Sequence, residues 1–262
     1  MIRKLLAPVV RNTPLSAPGH FVLELEAAEM AAEARPGQFI AVTDRTNTQL
    51  LRRPFSIYTA DPASGVCSIL FSVYGATTGA MSRMVPGEKM DIIGPLGGRV
   101  FAADGRPGAH HVMVGGGYGV PPLVFLSRRI KADHPEAKIT FINGARTKAF
   151  LVGTDGLDDE GIPVLSCTDD GTCGIHGRVT VALEPILSTG EPVQVYTCGP
   201  TPMMRAVAER SIAAGVPCQV SMETFMPCGI GICMGCAVAT TDGRFARGCT
   251  DGPVFPAHEV RW

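Results

Sequence analysis

Short apolar segments, separated by proline and glycine, recur from the N-terminus to about residue 100. The pairs Pro36-Gly37, Pro86-Gly87 and Gly94-Pro95 are turn signals between those segments. Many short strands at this spacing are typical of a β-sandwich or a β-barrel. One helix, at about Thr78 to Met84, interrupts the predicted strands. The strands are predicted at Phe21–Leu25, Gln38–Val42, Phe55–Tyr58, Val66–Val73 and Lys89–Ile93.

The middle of the chain has a different pattern, in which buried strand segments alternate with helical ones. Such alternation predicts a doubly wound parallel α/β sheet. Two prolines lie in the first turn of the first helix, where proline is tolerated. The strands are predicted at His110–Val114, Lys138–Ile142, Pro163–Cys167 and Val193–Thr197. The helices are predicted at Val120–Ile130, Val179–Leu187 and Thr201–Ala214.

Composition and charge narrow the class of protein. The formal net charge of the 262 residues is −1, which gives a nucleic-acid role no electrostatic support. No apolar run reaches the length of a membrane-spanning helix, so we expect neither nucleic acid nor a membrane as a partner. The N-terminus starts like a signal peptide but lacks an adequate apolar region. The nine cysteines then favour a reducing compartment, and we expect a cytoplasmic protein.

Four cysteines near the C-terminus form the strongest chemical motif. Cys228, Cys233 and Cys236 have the spacing C-x4-C-x2-C, and Cys249 follows after a short gap. This is the plant-type ligand pattern of a [2Fe–2S] cluster, and soft thiolates suit iron–sulfur chemistry. A structural zinc site would more often show two C-x2-C pairs, and a disulfide framework fits a long chain without a secretion signal poorly. Ordinary buried cysteines would not concentrate so tightly, and another metal is the main alternative.

Two stretches of the predicted β domain could bind phosphate. Arg53, in the segment Arg52–Tyr58, could grip a diphosphate because a guanidinium fork matches phosphate oxygens. The alternative is an edge strand with solvated arginines. Backbone N–H groups at the start of the predicted helix could also bind phosphate, with a hydroxyl from Thr77 or Thr78. The alternative there is a plain helix N-cap.

A glycine turn follows the first strand of the predicted α/β domain. Strand, glycine turn and helix are the context in which such a turn binds phosphate, but Gly115–Gly119 departs from the dinucleotide fingerprint. Val120 or Pro122 stands where the third glycine belongs, depending on the frame. The segment Cys198–Pro200 ends another predicted strand, and strand ends line the ligand crevice of such sheets. A simple turn is the alternative role of Cys198.

Several motifs together resemble the ferredoxin–NADP reductase superfamily, in its order, over nearly all of residues 1–220. The resemblance implies an antiparallel FAD-binding barrel followed by a pyridine-nucleotide domain. The segments Glu223–Cys236 and Arg247–Phe255 narrow it to the electron-transfer subunits of dihydroorotate dehydrogenase B, in which a [2Fe–2S] cluster follows the reductase module. The motifs are Arg53-Pro-Phe-Ser56, Gly115-Gly-Gly-Tyr-Gly119, Gly144-Ala-Arg-Thr147, Thr168-Asp-Asp-Gly171 and Cys198-Gly-Pro-Thr-Pro-Met203.

The resemblance implies three domains: an FAD-binding β-barrel at residues 1–102, a pyridine-nucleotide-binding α/β domain at 103–219 and a small [2Fe–2S] domain at 220–262. It places Arg53 on the FAD diphosphate and Ser56 near the flavin ring, on a strand shaped by Pro54 and Phe55. The other residues implied to bind FAD are Leu70, Phe71, Ser72, Thr77 and Thr78. Those implied to line the nicotinamide-nucleotide site are Gly115, Gly116, Gly117, Gly119, Cys198, Gly199 and Pro200. Cys228, Cys233, Cys236 and Cys249 match the cluster ligands.

The implied role is that of an oxidoreductase subunit in pyrimidine biosynthesis, with no catalytic residue of its own. Electrons from a partner flavoprotein that oxidises dihydroorotate would pass through the cluster and FAD to NAD⁺. The family implies a heterotetramer of two catalytic and two electron-transfer subunits. The alternative is a flavin and iron–sulfur reductase subunit of a sulfide dehydrogenase, transhydrogenase or hydrogenase complex. A metal-binding or redox-sensing module without enzyme activity is a third interpretation, against which the flavin and nucleotide motifs argue.

Overall fold

The computed structural model describes residues 2–43, 50–103, 105–106 and 108–262. Its N-terminal part is a closed antiparallel barrel with the strand order β1-β2-β5-β4-β3-β6. The strands are β1 (Arg3–Pro14), β2 (His20–Glu26), β3 (Phe39–Thr43), β4 (Arg53–Asp61), β5 (Val66–Ser72) and β6 (Lys89–Leu96). Two short helices, α1 (Ala28–Glu33) and α2 (Ala76–Met81), complete this part. The predicted strands are confirmed, and a barrel is formed rather than a sandwich.

Strand β1 was not predicted from the sequence, although it is the longest strand of the barrel. Its two prolines and the exposed Leu6 and Val10 break the alternation expected of a half-buried strand. The register to β2 shifts between Val9 and Arg11, which marks a bulge. The predicted helix at Thr78–Met84 is also corrected: α2 starts two residues earlier, after Gly75, and ends at Met81.

The second part is a parallel sheet with the strand order β10-β9-β8-β7-β11-β12. Helix α3 packs on one face of this sheet, and α4 and α5 pack on the other, so the doubly wound prediction is confirmed. The strands are β7 (His110–Gly116), β8 (Lys138–Ala145), β9 (Val164–Thr168), β10 (Ile175–His176), β11 (Val193–Cys198) and β12 (Cys218–Ser221). The helices are α3 (Val120–Asp133), α4 (Val179–Leu187) and α5 (Thr201–Ala213).

The C-terminal segment holds the four cysteines and is tied to both preceding parts. It contains the hairpin β13 (Ala237–Ala239) and β14 (Phe245–Arg247), followed by β15 (Val254–Pro256). Strand β15 pairs antiparallel with β12 and becomes the seventh strand of the sheet. The predicted boundary between residues 219 and 220 falls within β12, so the proposed division into domains cuts a continuous strand. At Gly98 a side chain would collide with the carbonyl of Thr250, because the barrel and this segment touch there through backbone.

Helix α3 joins the barrel to the sheet. Phe125 on this helix lies in the barrel core, whereas Tyr58 and Leu70 of the barrel lie in the apolar cluster between α3 and the sheet. Burial of these side chains on both sides holds the two parts at one fixed junction. None of the helices in the described ranges is long and apolar enough to cross a membrane.

Candidate functional site

Two cavities open at the junction of barrel and sheet. The first, the barrel cavity, has a volume of about 300 Å³, and the second, the sheet cavity, has about 690 Å³. Both are lined by Ser72, Tyr74, Tyr118 and Glu223, so the two cavities adjoin. The residues predicted for FAD that line the barrel cavity are Pro54, Phe55, Ser56, Leu70, Phe71 and Ser72, and Cys198 reaches it from the sheet.

The two neighbouring arginines have different surroundings. The guanidinium of Arg52 donates to Asp91 Oδ1 at 2.8 Å and to the Asp91 carbonyl at 3.0 Å, which makes Arg52 a structural residue of the barrel. Arg53 donates to the carbonyl of Leu51 at 2.8 Å and lines neither cavity. Its role at the FAD diphosphate stays a prediction.

The two threonines at the start of α2 are both buried, and neither lines the barrel cavity or the sheet cavity. The hydroxyl of Thr78 accepts hydrogen bonds from the N–H groups of Tyr74 and Gly75 at 3.0 and 3.1 Å, so it caps the helix. Thr77 Oγ1 has no hydrogen-bond partner within the described structure. A buried hydroxyl without a partner costs free energy, and a phosphate oxygen would satisfy it. The phosphate role of this pair stays a prediction.

The glycine turn and the Cys198–Pro200 segment come together, because β7 and β11 are neighbours with Cys198 opposite Gly115. Gly116, Gly117 and Pro200 line the sheet cavity. Gly119 packs so closely that a Cβ there would lie 2.1 Å from the carbonyl carbon of Cys198. This close approach explains why the turn is rich in glycine although it lacks the third glycine of the fingerprint.

Several cavity-lining residues were not singled out in the sequence. Tyr118 donates or accepts a 2.5 Å hydrogen bond with Ser72 Oγ and thereby connects the glycine turn to the barrel. Burial raises the pKa of the Glu223 carboxyl. Burial also raises the pKa of the Cys198 thiol, and the charge of Glu223 adds to this, so the thiol stays protonated at neutral pH. Position alone could have drawn attention to Tyr118 and Glu223, since one lies inside the glycine turn and the other opens the cysteine segment.

Residues of three strand ends complete the wall of the sheet cavity. Arg146 follows β8, Asp169 follows β9 and Arg178 precedes α4. The guanidinium carbon of Arg146 lies 5.5 Å from the centre of the Phe150 ring, a distance suited to a cation–π contact. Basic and acidic groups at the carboxyl ends of parallel strands fit the phosphates and ribose of a dinucleotide.

The four cysteines are arranged as two pairs. Cys236 and Cys249 have their sulfurs 3.3 Å apart, and the Cys233 thiol is close enough to Cys228 to lower its pKa. A [2Fe–2S] cluster takes four cysteine ligands shared between two irons, which matches two pairs. No group of three His, Cys, Asp or Glu side chains within the described ranges is placed to hold a single metal ion.

Backbone N–H groups point at the cysteine sulfurs, as a cluster site requires. Burial raises the pKa of the Cys228 thiol, but the N–H groups of Ile230, Cys233 and Ile232 and the Cys233 thiol outweigh this, and the pKa falls to about 6. The N–H of Gly235 lies 3.4 Å from Cys233 Sγ. Burial, followed by the neighbouring Cys236 thiol, raises the pKa of Cys249 to about 11, so iron would displace its proton on binding.

The two cysteine pairs face different surroundings. Cys236 and Cys249 are buried against Phe39, Ala41 and Leu96 on the outside of the barrel. Cys233 is exposed. Four exposed apolar side chains lie close to these cysteines in sequence, between residues 225 and 234: Phe225, Ile230, Ile232 and Met234. One pair therefore faces the barrel and the other faces the surface.

Comparison with known proteins agrees with this architecture. Residues 9–101 match an oxidoreductase FAD-binding domain, and residues 113–209 match an oxidoreductase NAD-binding domain. Residues 223–261 match the iron–sulfur cluster binding domain of dihydroorotate dehydrogenase B. The fold and the three domains define an oxidoreductase subunit of the iron–sulfur flavoprotein class. Its cofactors are FAD, NAD and an iron–sulfur cluster, as the sequence predicted.

The relatives identify the family within that class. The dihydroorotate dehydrogenase B (NAD⁺) electron-transfer subunit of Desulforamulus reducens is 36% identical over 250 residues, which cover 94% of each chain. The subunit of the same name from Caldanaerobacter subterraneus subsp. tengcongensis is 35% identical over 98% of each chain. The chain belongs to the family of dihydroorotate dehydrogenase B electron-transfer subunits.

Solved structures agree with the fold. A chain from a NADH-dependent reduced ferredoxin–NADP oxidoreductase superposes with a TM-score of 0.85 and 29% identity, over 98% of this chain and 90% of that one. The Amycolatopsis cytochrome P450 reductase GcoB superposes with a TM-score of 0.66 and 22% identity, over 81% and 66% of the two chains. The second likeness concerns the fold alone.

Proposed function

We propose that this chain carries electrons to NAD⁺ from a catalytic flavoprotein subunit that oxidises dihydroorotate. This transfer would be one step of pyrimidine biosynthesis. The observation that carries the proposal is the single junction at which the two cavities and the buried cysteine pair adjoin. When bound, FAD would convert the single electrons of the cluster into the hydride that nicotinamide accepts. The names of the relatives support the substrate and the partner.

The residues of the junction would position the two nucleotides. Phe55 and Ser56 would hold the flavin in the barrel cavity, while Gly116 and Gly117 would bring the nicotinamide nucleotide close to the backbone in the sheet cavity. Arg53 would hold the FAD diphosphate from outside the barrel cavity. Because the cavities adjoin, the two rings could meet there at the close distance that hydride transfer requires.

The partner would dock on the exposed apolar side chains around Cys228 and Cys233, the outer cysteine pair. Phe225 and Ile232 are 77% and 78% exposed, and Ile230 and Met234 are 42% and 48% exposed. Exposed apolar groups clustered in one segment mark interaction surfaces. Docking at this surface would bring the partner's electrons next to Cys233, within a cytoplasmic heterotetramer of two catalytic and two electron-transfer subunits.

A second candidate function is a reductase subunit of another redox complex. It is favoured by the 29% identity over 98% of the chain to a protein of the NADH-dependent reduced ferredoxin–NADP oxidoreductase. The two functions predict different partners for the same cofactors. A catalytic subunit that retains the chain through the surface around Cys233 and supplies electrons from dihydroorotate would support the first function.

Co-purification of the chain with a co-expressed catalytic subunit that oxidises dihydroorotate tests the proposal. We expect Ile232→Asp to reduce retention of the partner, because the substitution places a charge in the apolar surface. NADH should still bleach the flavin band in this variant, since Ile232 lies outside both cavities. Val181→Asp, at a 50% exposed apolar residue of α4, is the matched control and should leave retention unchanged. Full retention of the partner by Ile232→Asp would contradict the proposed docking surface.

A further inference from the structure

Two side chains belong both to the wall of the barrel cavity and to the apolar cluster around Cys236 and Cys249, which we call the inner pair. Phe39 lines the cavity and packs in the cluster that contains Cys236 and Cys249. Met226 does the same from the C-terminal segment, two residues before Cys228. We call these two side chains, Phe39 and Met226, the septum. Only the septum residues are shared between the cavity wall and this cluster within the described structure.

The alternation of β3 sets the direction of Phe39. Ile40 and Val42 lie in the barrel core, so Phe39 and Ala41 face the outside of the barrel. An aromatic ring on an outer barrel face needs a cover, and the cysteine segment provides it. A Cβ placed on Gly229 would lie 3.7 Å from Cε2 of Phe39, which is ordinary van der Waals contact. Only 4% of Phe39 is exposed, so the ring is enclosed between the barrel and the C-terminal segment that holds the cysteines.

Within the described ranges, the apolar cluster that contains the septum includes only one of the two cysteine pairs. Cys236 and Cys249, 2% and 1% exposed, pack in its cluster, whereas Cys228 and Cys233 lie outside that cluster. An apolar shell around a metal centre controls its access to water and the local dielectric, and through these its potential. The septum supplies such a shell on the cavity side of the inner pair.

We propose that Phe39 and Met226 form a dry electron path between the cysteine pair Cys236–Cys249 and the flavin in the barrel cavity. This proposal rests on the proposed function. Each electron passed through the septum would leave the cluster oxidised by one electron and the flavin reduced by one electron, with no proton transferred. Both septum residues are positioning residues, because they exclude water and fix the separation of the two centres.

The test uses the purified chain with FAD and the cluster bound. NADH reduces the flavin in a first kinetic phase, and electrons then reach the cluster in a second phase, which the visible spectrum and the electron paramagnetic resonance of the reduced cluster report. Deuterium coupling to the reduced cluster after exchange into D₂O reports water near the inner pair. The variants are Phe39→Ala, which removes the ring, and Met226→Gln, which keeps the side-chain length but adds polar atoms.

We expect both variants to slow the second phase relative to the first by about tenfold, the loss typical of altered groups around a metal centre. Deuterium coupling should rise in both variants. Met226→Leu should restore both values, because it replaces methionine by an apolar side chain of similar volume. Phe245→Ala changes a 62% exposed aromatic residue of β14 and should behave as the unaltered chain.

A second phase and a deuterium coupling unchanged in Met226→Gln would overturn the proposal. If Phe39→Ala loses FAD or iron, the result for Met226→Gln decides whether the septum is the electron path. If Met226→Gln loses FAD or iron instead, the result for Phe39→Ala decides. Loss of iron from both variants and from Met226→Leu would assign the septum a structural role and would also overturn the proposal. Absence of the first phase in the unaltered chain would instead contradict the proposed function.

Discussion

The glycine turn offers a prediction that separates steric from conformational effects. In Gly119→Ala the new Cβ would lie 2.1 Å from both carbonyl atoms of Cys198 and 2.3 Å from the Gly199 nitrogen. Ordinary contact starts at 3.4 Å, so the turn and the end of β11 must separate by about 1.3 Å. The backbone itself is not strained, because φ of Gly119 is −81°. The cost is therefore entirely one of overpacking.

The neighbouring Gly117 provides the matched variant. Its φ is +55°, and a Cβ there would meet no atom within 4 Å. Gly117→Ala should cost about 1–2 kcal/mol for the left-handed backbone without moving β11. Gly119→Ala should cost about 1–3 kcal/mol of stability and, because a displacement near 1 Å at a reaction site costs about 100-fold in rate, far more activity.

The assay measures NADH-dependent ferricyanide reduction, FAD content and urea unfolding for both variants. We expect kcat/KM for NADH to fall about 100-fold in Gly119→Ala. Gly117 lines the sheet cavity, where the nicotinamide nucleotide would bind, so Gly117→Ala is compared through its urea unfolding and its kcat at saturating NADH, which should fall clearly less. FAD content should hold in both, since neither glycine lines the barrel cavity. A Gly119→Ala enzyme with unaltered kinetics, or with a kcat at saturating NADH less affected than that of Gly117→Ala, would refute the close packing of turn and strand as the reason for glycine.

Three further predictions concern other parts of the chain. Cys233→Ala should lose the visible bands and the iron of the cluster but keep FAD. Cys67→Ala, a control in the barrel core, should keep both the cluster and FAD. Intact cluster bands in Cys233→Ala would show that Cys233 is not a ligand. Arg52→Ala should lower the free energy of unfolding in urea by about 1–3 kcal/mol, because Asp91 loses the 2.8 Å ion pair, and an unchanged midpoint would contradict this. Burial raises the pKa of Glu223 above its ordinary 4.5, so the stability of the folded chain should fall as the pH rises from 4.5 through that raised pKa. In Glu223→Gln the urea midpoint, measured as a function of pH, should no longer show the fall that the Glu223 carboxyl causes. A pH dependence identical to that of the unaltered chain would contradict the assignment.

Local patterns predicted most of the fold. The alternation of apolar segments and turns located five of the six barrel strands, and the strand–helix period located α3, α4 and α5. Strand β1 escaped because its prolines and outward-facing leucine and valine hide the period. Strands β12 and β15 escaped because both are short and gain their stability from pairing with distant partners.

The residues of the candidate site also fall into two groups, those that the sequence reveals and those that depend on the fold. Thiolate chemistry imposes a spacing on the cluster cysteines, so the sequence displays them. Phe39, Met226 and Glu223 follow no spacing rule, because they matter only through the tertiary contact of the cysteine segment with the barrel and the sheet. The role of Arg52 also depends on the fold, since Asp91 is distant in sequence.

Dihydroorotate-driven reduction of the assembled complex tests the central claim most directly. The chain, purified together with its catalytic partner, is mixed anaerobically with dihydroorotate while the visible spectrum is recorded, and NAD⁺ is then added. We expect the flavin and iron–sulfur bands to bleach together and NAD⁺ to restore them as NADH forms. Bleaching by NADH but not by dihydroorotate would contradict the claim and would favour a reductase subunit of another redox complex.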